Sequence, residues 1–481
     1  MKSKLFVFLI CVVTPVLSFG QDLPDLGDVT EEEFPLARER VLGNALMRKI
    51  RSSDSYVLDP EILEYLDDLG HKLASRSSVP ERYFEFFLIN DSSINAFALP
   101  GGYVGVHSGL FLSSADESEL AGVLGHEIAH IQQRHIARML ASQRKLGVAS
   151  LAGLGLAILA SRSSGQLAEA ALATSQAAPL QAMLSFSRDH EREADRFGLG
   201  IMSSAGFNPV SAVTFFDRMY RETRVYQGAL PGYMQTHPMT HERMADLQAR
   251  LASVEVKQSE SSLHYSLIKE RIRLISEGGE SAEKHFEELI EHGNYSEQVA
   301  GRYGRVIATL SRDAIDKDRE NVARDDIAWL NGEFPVDVLI LVAAAESSVK
   351  FGDLATGLQK YESALQLYPH RVSLLRGKSR LLKAMGRASE LESFLTSVFN
   401  ASQSISDPIL YELRAWAYQA LSLSMNYHSD LSMVAYLYGN LDAAIREIKL
   451  ARDSDEQNFY LRSQIDSRLA ELIAEKVEME K

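Results

Sequence analysis

The chain has 481 residues, of which 46% are apolar and 24% are charged, as in an ordinary globular protein with room for about two to four domains. Its formal charge of −15 argues against a nucleic-acid backbone or an anionic membrane surface as the main partner. We therefore expect no nucleic-acid binding and at most peripheral contact with a membrane.

Residues 1–20 have the pattern of a cleaved secretory signal peptide. Lys2 and Lys4 precede an apolar run, and Ser18 and Gly20 place small residues three and one before a predicted cleavage point. The alternative is a membrane anchor, but the apolar run is too short to cross a bilayer. Because the remaining chain contains no cysteine, we expect export to a Gram-negative periplasm.

The first part of the exported chain is predicted to contain one helix and a small sheet. Apolar residues recur at helical spacing from Ile62 to Ala74. Tyr83 to Leu88 is predicted to be a short strand. Ile94 to Leu99 and Tyr103 to His107 are two extended segments, and the Pro100-Gly101-Gly102 sequence between them predicts a turn.

The next helix carries the most informative motif of the chain. Ser114 and Glu117 predict its beginning as a capping box. Its predicted buried residues are Leu120, Val123, Leu124, Ile128 and Ile131. His126 and His130, four residues apart, face the same side of the helix and can bind one metal ion. Glu127 lies beside that ion, where it can take a proton from a bound water.

The segment 141–187 is predicted to form a helical hairpin or a mobile lid. Its first part, 146–161, is an uncharged run rich in Ala, Gly and Leu, and it is short for a membrane span. Its second part is rich in Ala, Ser and Gln. A segment that dips into a membrane is the alternative interpretation.

A second helix, after that segment, offers the remaining ligand. A catalytic zinc usually has three protein ligands and one open position. Glu191 and Asp195 lie four residues apart on one helix face, so one carboxylate can bind the metal and the other can hold a ligand histidine. The alternative is a solvated helix whose carboxylates pair with Arg188, Arg192 and Arg196.

The chain from about residue 256 to its end is predicted to be a helical solenoid. Gly352 and Gly386 end two helices at the 34-residue interval of the tetratricopeptide repeat. The small, aromatic, small and proline positions of that repeat are held by Gly357, Tyr361, Ala364 and Pro369. The interval from Gly386 to Gly439 is not a whole number of repeats, and an irregular helical bundle is the alternative.

These motifs resemble those of the gluzincin peptidases that include HtpX and the CAAX prenyl proteases. The similarity rests on the zinc motif, on the Glu-xxx-Asp pair about sixty residues later, and on the segment from Asn95 to Gly102. The zinc ligands that it implies are His126, His130 and Glu191. It also implies that Glu127 is the general base.

The same resemblance assigns two supporting roles. Asp195 supports a ligand histidine from behind, and segment 94–99 is the strand edge that pairs with a substrate backbone. An unpaired strand edge binds extended peptides through main-chain hydrogen bonds, which gives the second role a physical reason.

His237 is a further candidate, in a Thr-His-Pro sequence before a helix that Thr240 can cap. Exported relatives carry this His-Pro at the same place. The histidine can donate to the oxyanion during catalysis, or it can fill the fourth zinc position and close the site. We favour the second hypothesis, in which the resting enzyme is latent; a loop histidine without a role is the third reading. His135, five residues beyond His130 and off its helix face, is a weaker candidate.

The sequence therefore predicts an α+β chain that is mostly α. A zincin-type metalloprotease domain with a small sheet spans 21–255, and an α-solenoid of tetratricopeptide repeats spans 256–481. The expected function is a periplasmic metalloendopeptidase with one Zn²⁺ per chain. The resemblance implies that its substrates are unfolded or misassembled outer-membrane proteins and that its repeats dock on the outer-membrane β-barrel assembly machinery.

A chaperone or adaptor that seldom uses its protease is the alternative function. The concave surface of a solenoid suits a protein partner, which favours that alternative. A pseudoenzyme without metal is disfavoured because every residue of the motif is present.

Overall fold

The computed structural model describes residues 34–79, 83–141, 187–225, 232–252, 259–402, 405–454, 456 and 458–479. The predicted signal peptide and residues 142–186 of the predicted lid lie outside these ranges, so both remain predictions. Among the described helices, none has the length and apolarity needed to cross a bilayer.

A three-stranded sheet forms one side of the peptidase region. Its strands are β1 (Glu85–Ile89), β2 (Ala96–Leu99) and β3 (Tyr103–His107), in the order β1-β3-β2. β1 is parallel to β3 and β2 is antiparallel to it. Gly101 and Gly102 have φ values of 82° and 87°, so the predicted turn requires glycine. This hairpin leaves β2 at the edge of the sheet.

The helices of the region surround one central helix, α4. In chain order they are α1 (Leu36–Arg51), α2 (Pro60–Ala74), α3 (Ser108–Ser113), α4 (Glu117–Gln132), α5 (His135–Ala141), α6 (Arg188–Ser204), α7 (Pro209–Val225), α8 (Gly232–Thr236) and α9 (His241–Leu251). α2 contains the predicted helix 62–74. The predicted strand 83–88 is displaced, because β1 begins at Glu85.

The predicted capping box at the start of α4 is wrong. Asp116 is the residue that caps the helix, and its side chain accepts a hydrogen bond of 2.8 Å from the backbone N–H of Glu119. Ser114 instead donates its hydroxyl to the carbonyl of Leu110 at the end of α3. Two helices meet within three residues here, so the serine closes the first and the aspartate opens the second.

α4 is buried on all sides, from Glu117 to Ile131. Glycines let its neighbours approach at backbone distance: a Cβ atom on Gly125 would lie 3.0 Å from the carbonyl oxygen of Gly198 in α6. The predicted apolar stripe is therefore only part of the buried surface. α6, which carries Glu191 and Asp195, packs directly against the helix of the zinc motif.

The C-terminal half of the described chain consists of helices packed in sequence. They are α10 (Leu263–Glu277), α11 (Gly279–His292), α12 (Tyr295–Leu310), α13 (Lys317–Glu333), α14 (Val338–Lys350), α15 (Leu354–Leu367), α16 (Val372–Ala384), α17 (Ala388–Ala401), α18 (Pro408–Ala420), α19 (Ser424–Leu437), α20 (Leu441–Arg452) and α21 (Phe459–Met479). This arrangement, after a small sheet, confirms the predicted fold class.

Left-handed residues mark the turns inside three successive helix pairs. Gly352 (φ 91°) separates α14 from α15, Gly386 (φ 70°) separates α16 from α17, and Ser422 (φ 59°) separates α18 from α19. Gly439 belongs to the next connection, between α19 and α20. The irregular interval from Gly386 to Gly439 arises because a serine, not a glycine, holds the third turn.

The two predicted domains share a continuous hydrophobic core, which extends from Phe34 to Leu381. A polar contact also joins them at the start of α4. The carboxylate of Glu117 accepts hydrogen bonds from the Tyr65 hydroxyl at 2.8 Å and from the backbone N–H of Ser262 at 2.8 Å. Ser262 caps α10, so α4 is anchored to the first helix of the C-terminal half.

Candidate metal centre

Four buried side chains meet between α4, α6 and the loop after α8: His126, His130, Glu191 and His237. Each offers one ligand atom, and these atoms all lie within 4.8 Å of one another. The Nε2 atoms of His126 and His130 are 3.0 Å apart. Nδ1 of His237 lies 3.0 Å from Oε1 of Glu191.

Several distances between these ligand atoms are close to those around a tetrahedral zinc ion. Zinc bonds of about 2.0–2.1 Å place neighbouring ligand atoms roughly 3.3 Å apart in a tetrahedron. Nε2 of His126 is 3.4 Å from Nδ1 of His237, and Nε2 of His130 is 3.5 Å from Oε1 of Glu191. Imidazole nitrogens with one carboxylate also suit zinc better than magnesium or calcium, which prefer oxygen ligands.

Glu127 is fully buried in the same centre and remains available for chemistry. Neither of its carboxylate oxygens accepts a hydrogen bond from a described residue. Nε2 of His237 lies 3.4 Å from Oε1 of Glu127. A buried carboxylate without a hydrogen-bond donor is costly, and one beside a metal site is suited to accept a proton from water.

Asp195 supports the centre from behind, because Oδ1 of Asp195 lies 3.1 Å from Nδ1 of His126. Burial alone would raise the pKa of Asp195, but the guanidinium of Arg243, together with His126, lowers it below its ordinary value. Asp195 is therefore ionised, and it can accept the Nδ1 proton of His126. That leaves Nε2 of His126 to face the metal position.

Arg243 is a residue of the site that the sequence did not reveal. It is 1% exposed. Its Nε and Nη2 donate to Asp195 at 2.8 and 2.7 Å, and its Nη1 lies 2.7 Å from Oε2 of Glu191. Thr240 caps α9 as predicted, through a 3.2 Å hydrogen bond from the N–H of Arg243. From the sequence, the predicted Thr240 cap indicates that Arg243 lies on a helix. It does not indicate that the Arg243 side chain is buried.

His135 lies closer to the site than its spacing predicts. Nδ1 of His135 is 2.8 Å from Nδ1 of His130. The reason is Arg134, whose φ of 51° ends the continuation of α4 and turns the chain so that α5 begins at His135. Burial lowers the pKa of His135 to about 4. His135 therefore lies off the edge of His130 that meets the other metal ligands, as expected, but it contacts the opposite edge of the His130 ring.

The short helix α8 holds His237 against the metal centre. The ring of Tyr233 stacks on the His237 ring, with centroids 4.6 Å apart, and the N–H of His237 donates to the Tyr233 carbonyl at 2.8 Å. The N–H of Tyr233 donates to the carbonyl of Ile94 at 3.0 Å. α8 therefore contacts both the metal centre and the segment that leads into the edge strand β2.

Comparison with known proteins agrees with this geometry. Residues 62–251 match peptidase family M48. The chain is 29% identical over 483 residues to the beta-barrel assembly-enhancing protease of Escherichia coli (strain K12), across 98% of this chain and 96% of that protein. It is 32% identical over 202 residues to the mitochondrial metalloendopeptidase OMA1 of Schizosaccharomyces pombe, across 42% of this chain and 56% of that protein.

A relative from Vibrio cholerae is 34% identical over 315 residues, which are 64% of this chain and 65% of the relative. That alignment spans just under two thirds of the relative's length. The family match covers the zinc motif, the Glu-xxx-Asp pair and the histidine of the α8 loop. Residues 62–251 are thus similar to peptidase family M48 over the whole of the candidate metal centre, and the chain is a metalloprotease.

Proposed function

We propose that this protein is a zinc endopeptidase of the periplasm that acts on unfolded or misassembled outer-membrane β-barrel proteins. The observation that carries the proposal is the buried group of His126, His130 and Glu191 beside the carboxylate of Glu127, which accepts no hydrogen bond from a described residue. The name of the Escherichia coli relative supports a role in β-barrel assembly. The predicted signal peptide and the absence of cysteine after it support the periplasmic location.

In the proposed reaction, Glu127 takes a proton from the attacking water and delivers it to the leaving amine. A bound zinc ion supplies Lewis acidity, which lowers the pKa of that water and polarises the scissile carbonyl. Asp195 keeps His126 in the tautomer that directs Nε2 towards the ion, and Arg243 keeps Asp195 charged.

The edge strand β2 is the proposed binding place for the substrate backbone. β2 pairs with β3 on one side, and no described strand pairs with its other side. A peptide that adds to this edge must be extended, so the site selects unfolded segments over folded domains. This selectivity fits substrates that have failed to assemble.

The position of α8 supports a latent resting state. His237 supplies a fourth ligand atom, and a zinc ion with four protein ligands cannot activate water. Through Tyr233, the same helix also engages the carbonyl of Ile94 at the entrance to β2. One displacement of α8 would therefore open both the fourth metal position and the approach to the strand edge.

Glu127→Gln tests the proposed reaction. The purified variant should bind one zinc per chain and should lose cleavage of a urea-denatured outer-membrane β-barrel protein diluted into buffer. Glu242→Gln makes the same chemical change at a carboxylate that is 65% exposed, and it should cleave like the wild type. Proteolysis by Glu127→Gln at the wild-type rate would remove Glu127 from the reaction.

A role as chaperone or adaptor is the second candidate. It is favoured by the closed geometry at His237 and by the anchoring of the C-terminal helices to α4 through Glu117. Complementation of a deletion strain separates the two functions. If Glu127→Gln restores the outer-membrane barrier to antibiotics as well as the wild type does, binding dominates; if it does not, proteolysis dominates.

A further inference from the structure

The metal ligand His130 is held from behind by a second histidine. Nδ1 of His130 lies 2.8 Å from Nδ1 of His135, and Nε2 of His135 lies 2.9 Å from Oε2 of Glu193. Both histidines are fully buried. Arg138 donates to the same carboxylate oxygen of Glu193 at 3.2 Å. The side chain of His135 thus connects His130 to the charged pair of Glu193 and Arg138 near the surface.

Only one arrangement of protons satisfies these contacts when His130 directs Nε2 towards the metal position. Nδ1 of His130 then carries its proton and donates it to Nδ1 of His135. Because that nitrogen acts as the acceptor, neutral His135 carries its own proton on Nε2, from which it donates to Glu193. The three groups form a chain of hydrogen bonds with a single direction.

Local backbone structure builds this chain. The left-handed conformation of Arg134 turns the backbone between α4 and α5, and its guanidinium donates to Glu39 at 2.6 and 2.9 Å, which fixes the turn. Glu193 lies two residues after the ligand Glu191 on α6. One helix therefore supplies both a ligand and the carboxylate that anchors the histidine behind another ligand.

The two histidines of the zinc motif are held in different ways. His126 meets the carboxylate of Asp195 directly, at 3.1 Å. His130 reaches the carboxylate of Glu193 only through the ring of His135. A partner at the free ring nitrogen orients a metal-binding histidine and makes it a stronger ligand, and loss of such a partner weakens metal binding.

We propose that His135 is a positioning residue for the metal site: it fixes the tautomer and ring orientation of His130 and connects it to Glu193. This inference rests on the proposed zinc site. His135 itself lies behind the ligand and does not take part in the reaction.

Zinc affinity of the metal-free full-length protein, measured by competition with a chromophoric chelator, tests the proposal. His135→Phe keeps a ring in the cavity but removes the acceptor, and it should weaken zinc binding by about 10- to 100-fold. His135→Gln restores an acceptor through its amide oxygen and should recover most of that loss. His190→Phe is the matched control, because His190 stacks on His135 at 4.4 Å, and its affinity should equal that of the wild type.

The outcomes separate this inference from the proposed function. Absence of zinc binding by the wild type would overturn both. Zinc binding by His135→Phe as tight as by the wild type, or an equal loss in His190→Phe, would overturn the role of His135 alone. If His135→Phe does not fold, Glu193→Gln carries the test: it should bind zinc more weakly than the wild type, and an unchanged affinity would overturn the proposal.

Discussion

Two buried arginines, one in the metal centre and one at the junction with the helical repeats, show how the same ion pair serves different purposes. Arg243 and Arg376 are 1% and 4% exposed, and each binds an aspartate through two guanidinium nitrogens. The third nitrogen of each also meets a backbone carbonyl, that of Pro238 or that of Leu58. Arg243 alone also approaches a second carboxylate, because its Nη1 lies 2.7 Å from Oε2 of Glu191. The bond to the aspartate by itself therefore does not distinguish a functional site from an architectural one.

The difference lies in what the aspartates do next. Asp407, the partner of Arg376, accepts a 2.9 Å hydrogen bond from the N–H of Leu410 and so caps α18. Asp195, the partner of Arg243, is directed at the imidazole of His126. At the junction the aspartate of the pair stabilises the beginning of a helix, whereas in the metal centre it contacts a histidine that can bind a metal.

The largest expected effects come from removing each arginine in turn. Arg243→Met leaves buried carboxylates without their cation, which we expect to cost about 3–5 kcal/mol of unfolding free energy and to weaken zinc binding strongly. Arg376→Met should cost a similar free energy but leave zinc affinity unchanged. Urea denaturation and chelator competition measure the two quantities. Equal zinc affinities in the two variants would contradict the view that Arg243 supports metal binding and Arg376 does not.

Removal of the metal should have the next largest effect on stability, and it should act directly only on the metal centre. Zinc present at 1,000 times its dissociation constant stabilises the folded state by about 4 kcal/mol, so chelation should lower the stability by that amount. Hydrogen exchange should report the loss mainly in α4 and α6. Uniform deprotection of α14 to α19 as well would show that the shared core makes both regions one cooperative unit.

Many local features of the fold and of the metal centre can be predicted from the sequence, but the tertiary contacts that complete the metal centre cannot. The Pro100-Gly101-Gly102 turn and the Thr240 cap are local, and both have the residues that their backbone conformations require. The spacing of the zinc motif placed His126 and His130 on one helix face, as found.

The rest depends on conformations and tertiary contacts that residue types do not encode. Arg134 and Ser422 adopt left-handed backbone conformations although neither is glycine. The sequence therefore predicts neither the contact of His135 with His130 nor the third repeat turn. The burial of Arg243 depends on α9 packing over Asp195, which is a tertiary contact. Periodicity identifies helices, but it does not show which arginine lies inside.

A smaller effect is expected from His237→Ala, which tests whether the metal centre is closed at rest. If the closed arrangement holds about 90% of the molecules, opening the site should raise peptidase turnover about tenfold. Steady-state cleavage of a denatured β-barrel protein measures it. A fall to the activity of Glu127→Gln would instead make His237 a participant in catalysis and would rule out latency.

The smallest expected effect concerns how the stability of the protein changes with pH through Glu64, at the junction with the helical repeats. Burial raises the pKa of Glu64 from its ordinary value of 4.5 to about 7, against the opposing effect of Arg371. A carboxyl group whose pKa is higher in the folded state binds more protons there, so its contribution makes the protein less stable as pH rises from about 4.5 to 7. Glu64→Gln should remove that contribution, and the difference in stability between variant and wild type should grow across this range. Asp68→Asn is the control, since Asp68 pairs with the same Arg371 but is 68% exposed. Urea midpoints at several pH values that shift equally in both variants would contradict a raised pKa of Glu64.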